Sequence, residues 1–310
     1  MTKPPIFIVG PGGVGTYLAA KLSAKRPVQL IGRESRPNAK VSLSGASYHD
    51  ELDLPVFSWT EVGTLPKNSL VFVCTKAFQL EGALDDLRAH SEDTESLSVY
   101  LFQNGLGVYD EASRWLPDVQ FGRAICKFGA ALDRYRFPAV LSIVGAEGGI
   151  EVAGGSQPQE LVDLFIDSGI PSLSRPSITE IEWKKAIWNS SLNGLCALLG
   201  APNGIVLRDP DIQTAFRGLM EEAALVAGAE GIFFTSSDFE AMTQATEAVA
   251  DNMNSMLQDM QARRPTEVGW LNGAILQRAN QQGLEVPRNQ LIYSMIRYFE
   301  KTYPSDAGKD

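Results

Sequence analysis

Positive charge, histidine and cysteine are all scarce in this chain of 310 residues, and each shortage removes a class of function. Lysine and arginine number 27 against 37 aspartates and glutamates, a formal charge of −10. Such a surface repels polyanions, so neither a nucleic-acid nor a membrane partner is expected. The three cysteines, Cys74, Cys126 and Cys196, lack any CxxC spacing and sit among apolar neighbours. That is the pattern of reduced, buried thiols rather than of a disulfide framework or a zinc site. The two histidines, His49 and His90, fall outside every polar cluster considered below, so neither metal nor histidine catalysis is expected. No apolar run reaches membrane-spanning length. The opening MTKPPIFIVG enters a glycine turn after a few apolar residues, without a cleavage-like pattern, which favours a cytoplasmic protein. Internal repeats, low-complexity tracts and heptads are absent, and the polar tail 305–310 reads as frayed.

What is present is α/β wiring followed by helices. Short β-branched or apolar runs at Ile6–Val9, Val28–Ile31, 70–74 and 98–102 alternate with helical segments up to about residue 175. From 178 onward the pattern is long and helical, with helices predicted over 179–199, 211–230, 237–262 and 267–282. Gly169, Pro171 and Pro176 punctuate the stretch between, so the chain is read as two domains, 1–177 and 178–310. A cleft between two such domains is the default ligand site.

The most informative motif is Gly10-Pro11-Gly12-Gly13-Val14-Gly15, a GxGxxG between a strand and a helix beginning near Tyr17. Gly10 permits a tight turn, Gly12 removes the side chain that would block a pyrophosphate, and Gly15 allows helix and strand to approach. The phosphates then lie at the positive end of the helix. The expectation is a dinucleotide site that includes Gly13 and Val14. The second strand ends at Gly32-Arg33, where a carboxylate would grip a ribose 2′-hydroxyl. Arg33 instead suits a 2′-phosphate, pointing to NADP(H); the alternative is that Arg33 is solvated and Glu34 grips the ribose. Lys76, just past the strand at 70–74, stands at the sheet edge where open α/β folds bind ligands, as does Asn104 past the strand at 98–102. Both also read as ordinary strand-ending turns.

On the predicted helix 179–199, Lys185, Asn189 and Asn193 lie four apart and so share one face, about 80° wide. Trp183, Ile187, Trp188 and Leu192 surround them. The stripe fits a small polar ligand in an apolar pocket, and equally an exposed seam of an amphipathic helix. Asn203 lies in the turn Ala201-Pro202-Asn203-Gly204, and Ser255 in the polar stretch Asn252-Met253-Asn254-Ser255. Glu267 follows the helix-breaking Pro265, and by position alone it reads as a first-turn carboxylate with Thr266 as N-cap.

In order along the chain, GPGGVGTYLA at 10–19, Lys76-Ala77-Phe78-Gln79, Gln103-Asn104-Gly105-Leu106-Gly107, Trp183/Lys185/Asn189/Asn193, Ala201-Pro202-Asn203-Gly204, Ser255-Met256-Leu257-Gln258-Asp259, Arg264-Pro265-Thr266-Glu267, Leu271-Asn272-Gly273 and Val286-Pro287 make a series. This series resembles the ketopantoate reductase family. The resemblance implies a Rossmann-type dinucleotide-binding domain followed by an all-α domain, and NADPH-dependent reduction of 2-dehydropantoate to pantoate in pantothenate biosynthesis. It implies Lys185 as the catalytic lysine with Glu267 as its acidic companion. Asn104, Asn189, Asn193, Asn203 and Ser255 are implied to contact substrate, with Arg33 and Lys76 near the cofactor's phosphates. The alternatives are reduction of another branched 2-oxo acid on the same fold and a non-catalytic NADP(H)-binding regulator. Helical domains of such enzymes often pair, so a homodimer is open, with helix 211–230 one surface for it and a core face its other explanation. Two departures stand out: 137–155 reads FPAVLSIVGAEGGIEVAGG, without the histidine many relatives carry, and Gly194 replaces their proline.

Overall fold

A computed structural model describes residues 5–44 and 51–303; His49 and the tail 305–310 lie outside the described residues. The chain divides into two compact units, one of Met1–Gln103 and Val108–Ile181, the other of Asn104–Gly107 and Glu182–Asp310.

Among the described residues, the strands of the first unit are β1 (Ile6–Val9), β2 (Val28–Ile31), β3 (Lys40–Ser44), β4 (Glu51–Asp53), β5 (Val56–Phe57), β6 (Leu70–Val73), β7 (Ser98–Leu101), β8 (Phe121–Cys126), β9 (Gly129–Asp133), β10 (Ala139–Val144), β11 (Ile150–Gly154) and β12 (Ser172–Ser174). Eight of them form one sheet in the order β12-β11-β8-β7-β6-β1-β2-β5. It is parallel from β5 to β8, with Ile8 opposite both Leu30 and Phe72, and β11 runs antiparallel to β8. The near-continuous apolar runs IFIV and LVFV explain the central strands, because a parallel strand is covered on both faces and needs no polar alternation. The unit's helices are α1 (Gly13–Leu22), α2 (Trp59–Val62), α3 (Leu80–Ala89), α4 (Val108–Trp115) and α5 (Pro158–Asp167). This is the Rossmann-type arrangement expected from the sequence.

A second sheet, β4-β3-β10-β9, was not foreseen. Its β3 pairs in parallel with β10, nearly a hundred residues downstream, a long-range match that local periodicity does not announce. Val41, Leu43 and Leu141 of this sheet are buried in one apolar core with Leu18 and Leu22 of α1. The atypical segment 137–155 supplies β10 and β11, one strand to each sheet.

In the second unit every element among the described residues is helical: α6 (Ile178–Leu199, of the second unit from Glu182 on), α7 (Ile205–Arg208), α8 (Pro210–Ala229), α9 (Ser236–Glu247), α10 (Ser255–Gln261), α11 (Asn272–Gln282) and α12 (Pro287–Lys301). The apolar face of α8 is core: Phe216, Leu219, Met220, Ala223, Val226 and Ala227 are all buried. That settles the two explanations of this helix in favour of the core face. Glu222 of α8 accepts the backbone N–H groups of Arg288 and Asn289 at 3.0 Å each, neutralising the positive end of α12 from across the core. Asn289 also binds Glu222 and Asn272, so a buried polar chain fixes the register of α8, α11 and α12. Gly194 has a packing reason, since a Cβ there would lie 2.3 Å from Ile292 of α12.

Two helical expectations are corrected. The helix predicted over 237–262 is broken between α9 and α10. The carbonyls of Ala250 and Asn252 are taken by the N–H groups of Gly204 and Asn203, and Asn254 caps α10 by accepting from Leu257 N at 3.0 Å. The helix predicted from 267 begins only at Asn272. Glu267 lies in a turn whose carbonyl accepts from Trp270 and Leu271, and Thr266 caps that turn through Val268 N rather than a helix.

In the first unit Glu151 of β11 is buried beneath Lys127 and Arg175, which donate to it at 2.9 and 2.7 Å. Burial pushes its carboxyl up, but the hydrogen bonds and charges of Arg175 and Lys127 outweigh that and hold it below its ordinary value of 4.5. A depressed folded pKa gives stability that is complete above the unfolded value and is lost as pH falls through the folded one. Glu151→Gln is therefore expected to lower the urea midpoint at pH 7. The gap from wild type should close as pH drops below 4.5, and a gap constant across that range would show that Glu151 carries no such linkage.

Candidate active site

The glycine turn joins β1 to α1. Gly10 has φ +105°, and a Cβ there would lie 2.7 Å from Thr75 N at the end of β6. At Gly15 a Cβ would meet the Gly10 carbonyl oxygen at 2.1 Å, so helix and turn touch backbone to backbone. Above Gly12, by contrast, a Cβ would meet nothing within 4 Å. Gly12 is the N-cap of α1, no side chain caps it, and no acidic residue occupies the first turn. Open space and uncapped N–H groups at a helix N-terminus fit a dinucleotide's phosphates. Gly13 plays a different part: a Cβ there would lie 2.1 Å from the Ala130 carbonyl of β9, so its bareness serves the second sheet. Val14 is half-buried and packs against the core of the first unit. Arg33 and Glu34 are both exposed just past β2, while Lys76 is half-buried at the start of the turn after β6.

In the second unit a polar cluster forms around Asn104. Its amide donates to Glu267 Oε2 at 3.2 Å, and its carbonyl oxygen accepts from Asn189 Nδ2 at 3.4 Å. Asn189 and Glu267 are each 6% exposed, so these groups are removed from bulk water. Lys185, half-buried one helical turn before Asn189, sits with its Nζ 4.7 Å from the ring centre of Trp188. The Trp188 indole is itself pinned by a 2.9 Å bond to Thr246. Asn193 continues the face and is buried, which rules out a solvent-exposed seam for this stripe.

What positions Asn104 is the bare strip that follows it. Gly105 has φ +111°, and a Cβ there would lie 2.6 Å from the Trp270 carbonyl oxygen and 2.7 Å from Trp270 Cβ. Leu106 N donates to the same carbonyl at 2.9 Å. Gly107 lies under the guanidinium of Arg278, which is held by Glu230 at 3.0 Å; Glu230 also accepts from the Trp183 indole.

A second cluster gathers the other two predicted residues. Asn203 Oδ1 accepts from Asn254 Nδ2 at 3.0 Å, its own amide donates to the Val249 carbonyl, and Ser255 is the next residue, exposed at the start of α10. Sequence reasoning missed Asn254, although an asparagine three residues before Leu257 in a polar run is an N-cap signature. Trp270 and Arg278 were missed as well, and nothing local marks them, since their partners are more than 40 residues away.

The thiols are not candidates for chemistry. Burial pushes Cys196 up to about 12, and burial followed by the nearby Cys126 raises Cys74 well above its ordinary value. Among the described residues no group of histidine, cysteine, aspartate and glutamate is arranged to hold a metal ion, and no helix is long and apolar enough to cross a membrane.

Gly105→Ala is expected to destabilise the protein by about 1 kcal/mol or more, because alanine tolerates neither the positive φ nor the Trp270 contact. Urea denaturation measures it. An unchanged midpoint would mean that the strip has another way to seat.

Comparison with known proteins covers nearly the whole chain. Residues 6–153 match the family described as Ketopantoate reductase PanE/ApbA, and residues 177–300 match its C-terminal counterpart, Ketopantoate reductase PanE/ApbA C terminal. A curated relative from Vibrio cholerae, named 2-dehydropantoate 2-reductase, is 28% identical over 304 residues, spanning 96% of this chain and 98% of that one. Among solved structures, a dimeric ketopantoate reductase from Staphylococcus aureus superposes with a TM-score of 0.81 at 23% identity, covering 96% of this chain and 99% of that one. A D-mandelate dehydrogenase in a ternary structure with NADH and anilino(oxo)acetate superposes with a TM-score of 0.82 at 22% identity, over 96% and 99% of the two chains. With both of its units matched by paired models of one family, the chain belongs to the ketopantoate reductases.

Proposed function

We propose that this chain reduces the ketone of 2-dehydropantoate to pantoate with NADPH, a step of pantothenate biosynthesis. The observation that carries the reading is the buried Asn189–Asn104–Glu267 relay one helical turn from Lys185, in a chain of this family. NADPH, when bound, supplies a hydride to the ketone carbon. The chain's own groups then have to neutralise the charge that grows on the carbonyl oxygen. Lys185 does this by donating through Nζ and giving up the proton that completes the alcohol; the lysine regains a proton from solvent. The Trp188 ring beneath it limits where the ammonium can sit.

Glu267 accepts the substrate hydroxyl and is aimed by the Asn104 amide. Asn189, Asn193, Asn203 and Ser255 hold the substrate's carboxylate and hydroxyl, so that the reacting atoms meet in one orientation. Gly10, Gly12, Gly15 and the first turn of α1 hold the pyrophosphate. Arg33 and Lys76 add positive charge toward the phosphate end, which favours NADPH over NADH. By analogy with the dimeric S. aureus neighbour, a homodimer is part of the reading. The exposed Leu291, Met295 and Tyr298 of α12 are the face proposed for it.

The likeness to D-mandelate dehydrogenase makes an aryl 2-oxo acid with NADH the reading to be separated. Initial rates of NADPH and NADH oxidation with 2-dehydropantoate, other branched 2-oxo acids and aryl 2-oxo acids do so through kcat/KM. The highest value is expected for 2-dehydropantoate with NADPH. A higher value for an aryl substrate or for NADH would overturn the assignment, and tight cofactor binding with no turnover at all would favour a regulator. Lys185→Ala is expected to lower kcat about a hundredfold or more, and near-normal turnover in that variant would remove lysine from its role.

A further inference from the structure

Glu267 stands in a turn ahead of α11, so no helix sets the direction of its carboxylate. The group that seats this turn comes from the far end of the second unit. Glu300, in the last turn of α12, has a side chain 8% exposed, and its Oε1 accepts both the backbone N–H and the hydroxyl of Thr266, each at 2.7 Å. The Thr266 hydroxyl is thereby committed as a donor, and its oxygen accepts from Val268 N at 3.2 Å. One carboxylate oxygen thus holds the residue before Glu267 directly and the residue after it through a hydroxyl.

The position of Glu300 is unusual for a carboxylate. Ile292, Ile296 and Glu300 lie four apart on α12, so Glu300 continues the buried face of that helix, where packing alone calls for an apolar side chain. A charge withdrawn from water there is costly unless hydrogen bonds answer it. Bonds of 2.7 Å from Thr266 do so, in the range of charge-assisted contacts, and Arg297 of the preceding turn donates to the other oxygen, Oε2, which stops the carboxylate from rotating. Tyr303 closes the same corner: burial, then the charges of Glu300 and Asp259, push its phenol above the ordinary value. From the α10 side the buried Asp259 receives Arg264 at 3.0 and 3.1 Å, which pins the start of the loop but reaches only the third residue before Glu267.

We propose that Glu300 is a positioning residue for Glu267: by seating Thr266 it fixes where the Glu267 carboxylate meets the substrate hydroxyl. This rests on the function proposed above, in which Glu267 accepts that hydroxyl. Asn104 sets the rotation of the Glu267 carboxylate, and Glu300 sets the backbone from which it grows. A displacement of about 1 Å at such a group costs on the order of a hundredfold in rate.

The test is steady-state kinetics on the full-length protein, with the 2-oxo acid and nicotinamide cofactor that give the wild type its highest kcat/KM. The variants are Glu300→Ala, Glu300→Gln, Glu267→Gln, and Glu267→Gln combined with Glu300→Ala. Glu300→Ala is expected to lower kcat/KM for the 2-oxo acid about tenfold or more, with the KM of the cofactor at its wild-type value. Glu300→Gln keeps an oxygen that accepts from Thr266, and a loss of about threefold or less is expected. In the Glu267→Gln background Glu300→Ala should change kcat/KM by less than about twofold, because the group it positions is already disabled. The same tenfold loss in both backgrounds would show a purely structural role and overturn the proposal. An unchanged kcat/KM in Glu300→Ala, beside an impaired Glu267→Gln, would overturn it too and leave the proposed function standing. Should Glu300→Ala fail to fold, Thr266→Val, which keeps the N–H and removes the hydroxyl, takes its place in the same cycle, with a loss of about fivefold expected. Wild-type kinetics in Glu267→Gln, or a wild type that turns over no 2-oxo acid, would instead overturn the function proposed above, and this inference with it.

Discussion

The closeness of Gly105 to Trp270 is the constraint on which the polar cluster of the second unit depends. Backbone meets backbone there at a distance that no other residue allows, and Leu106 seals the approach with a hydrogen bond to the same carbonyl. Four residues that follow a Rossmann strand are thereby packed with the helical unit, and the side chain preceding the strip reaches Glu267, 163 residues further on. The Asn104 amide is a weak group. Its value lies in having both ends committed, one to a carboxylate and one to Asn189, which fixes which way the amide faces and leaves Glu267 a defined orientation.

The Rossmann-like unit rests on the opposite economy, in which space is kept empty rather than filled. Gly10 and Gly15 give up side chains so that strand, turn and helix fit together, and the resulting geometry leaves Gly12 bare and the first N–H groups of α1 uncapped. A helix start lacking both a capping side chain and an acidic first turn is poorly satisfied in isolation. A bound anion would supply the missing partner.

Much of this was legible in the sequence, for reasons that can be assigned. The central strands and the glycine turn are local features, written in consecutive residues such as IFIV and GPGGVG. Helix α6 and the shared face of Lys185, Asn189 and Asn193 follow from 3.6-residue periodicity, whereas the burial of that face does not. Contacts between distant segments were not legible from the residues themselves. The resemblance implied only that Asn104 and Glu267 serve one substrate; their hydrogen bond was not foreseen, nor was the pairing of β3 with β10, with the hairpin it carries to the glycine turn. The errors in helix 237–262 and in the start of α11 share one cause: side chains and carbonyls that look helical locally are taken up by partners elsewhere, as Asn203 takes the Asn252 carbonyl.

The position of Gly13 bears on how such a turn is exchanged between proteins. Its missing side chain is required not by a nucleotide but by the Ala130 carbonyl of the second sheet. A phosphate-binding loop from another Rossmann protein, with alanine or serine at that point, would satisfy the fingerprint and still collide with β9. The loop and the hairpin above it thus form one inheritable module. Loop grafting or ancestral reconstruction in this chain has to carry residues 10–15 and 129–138 together.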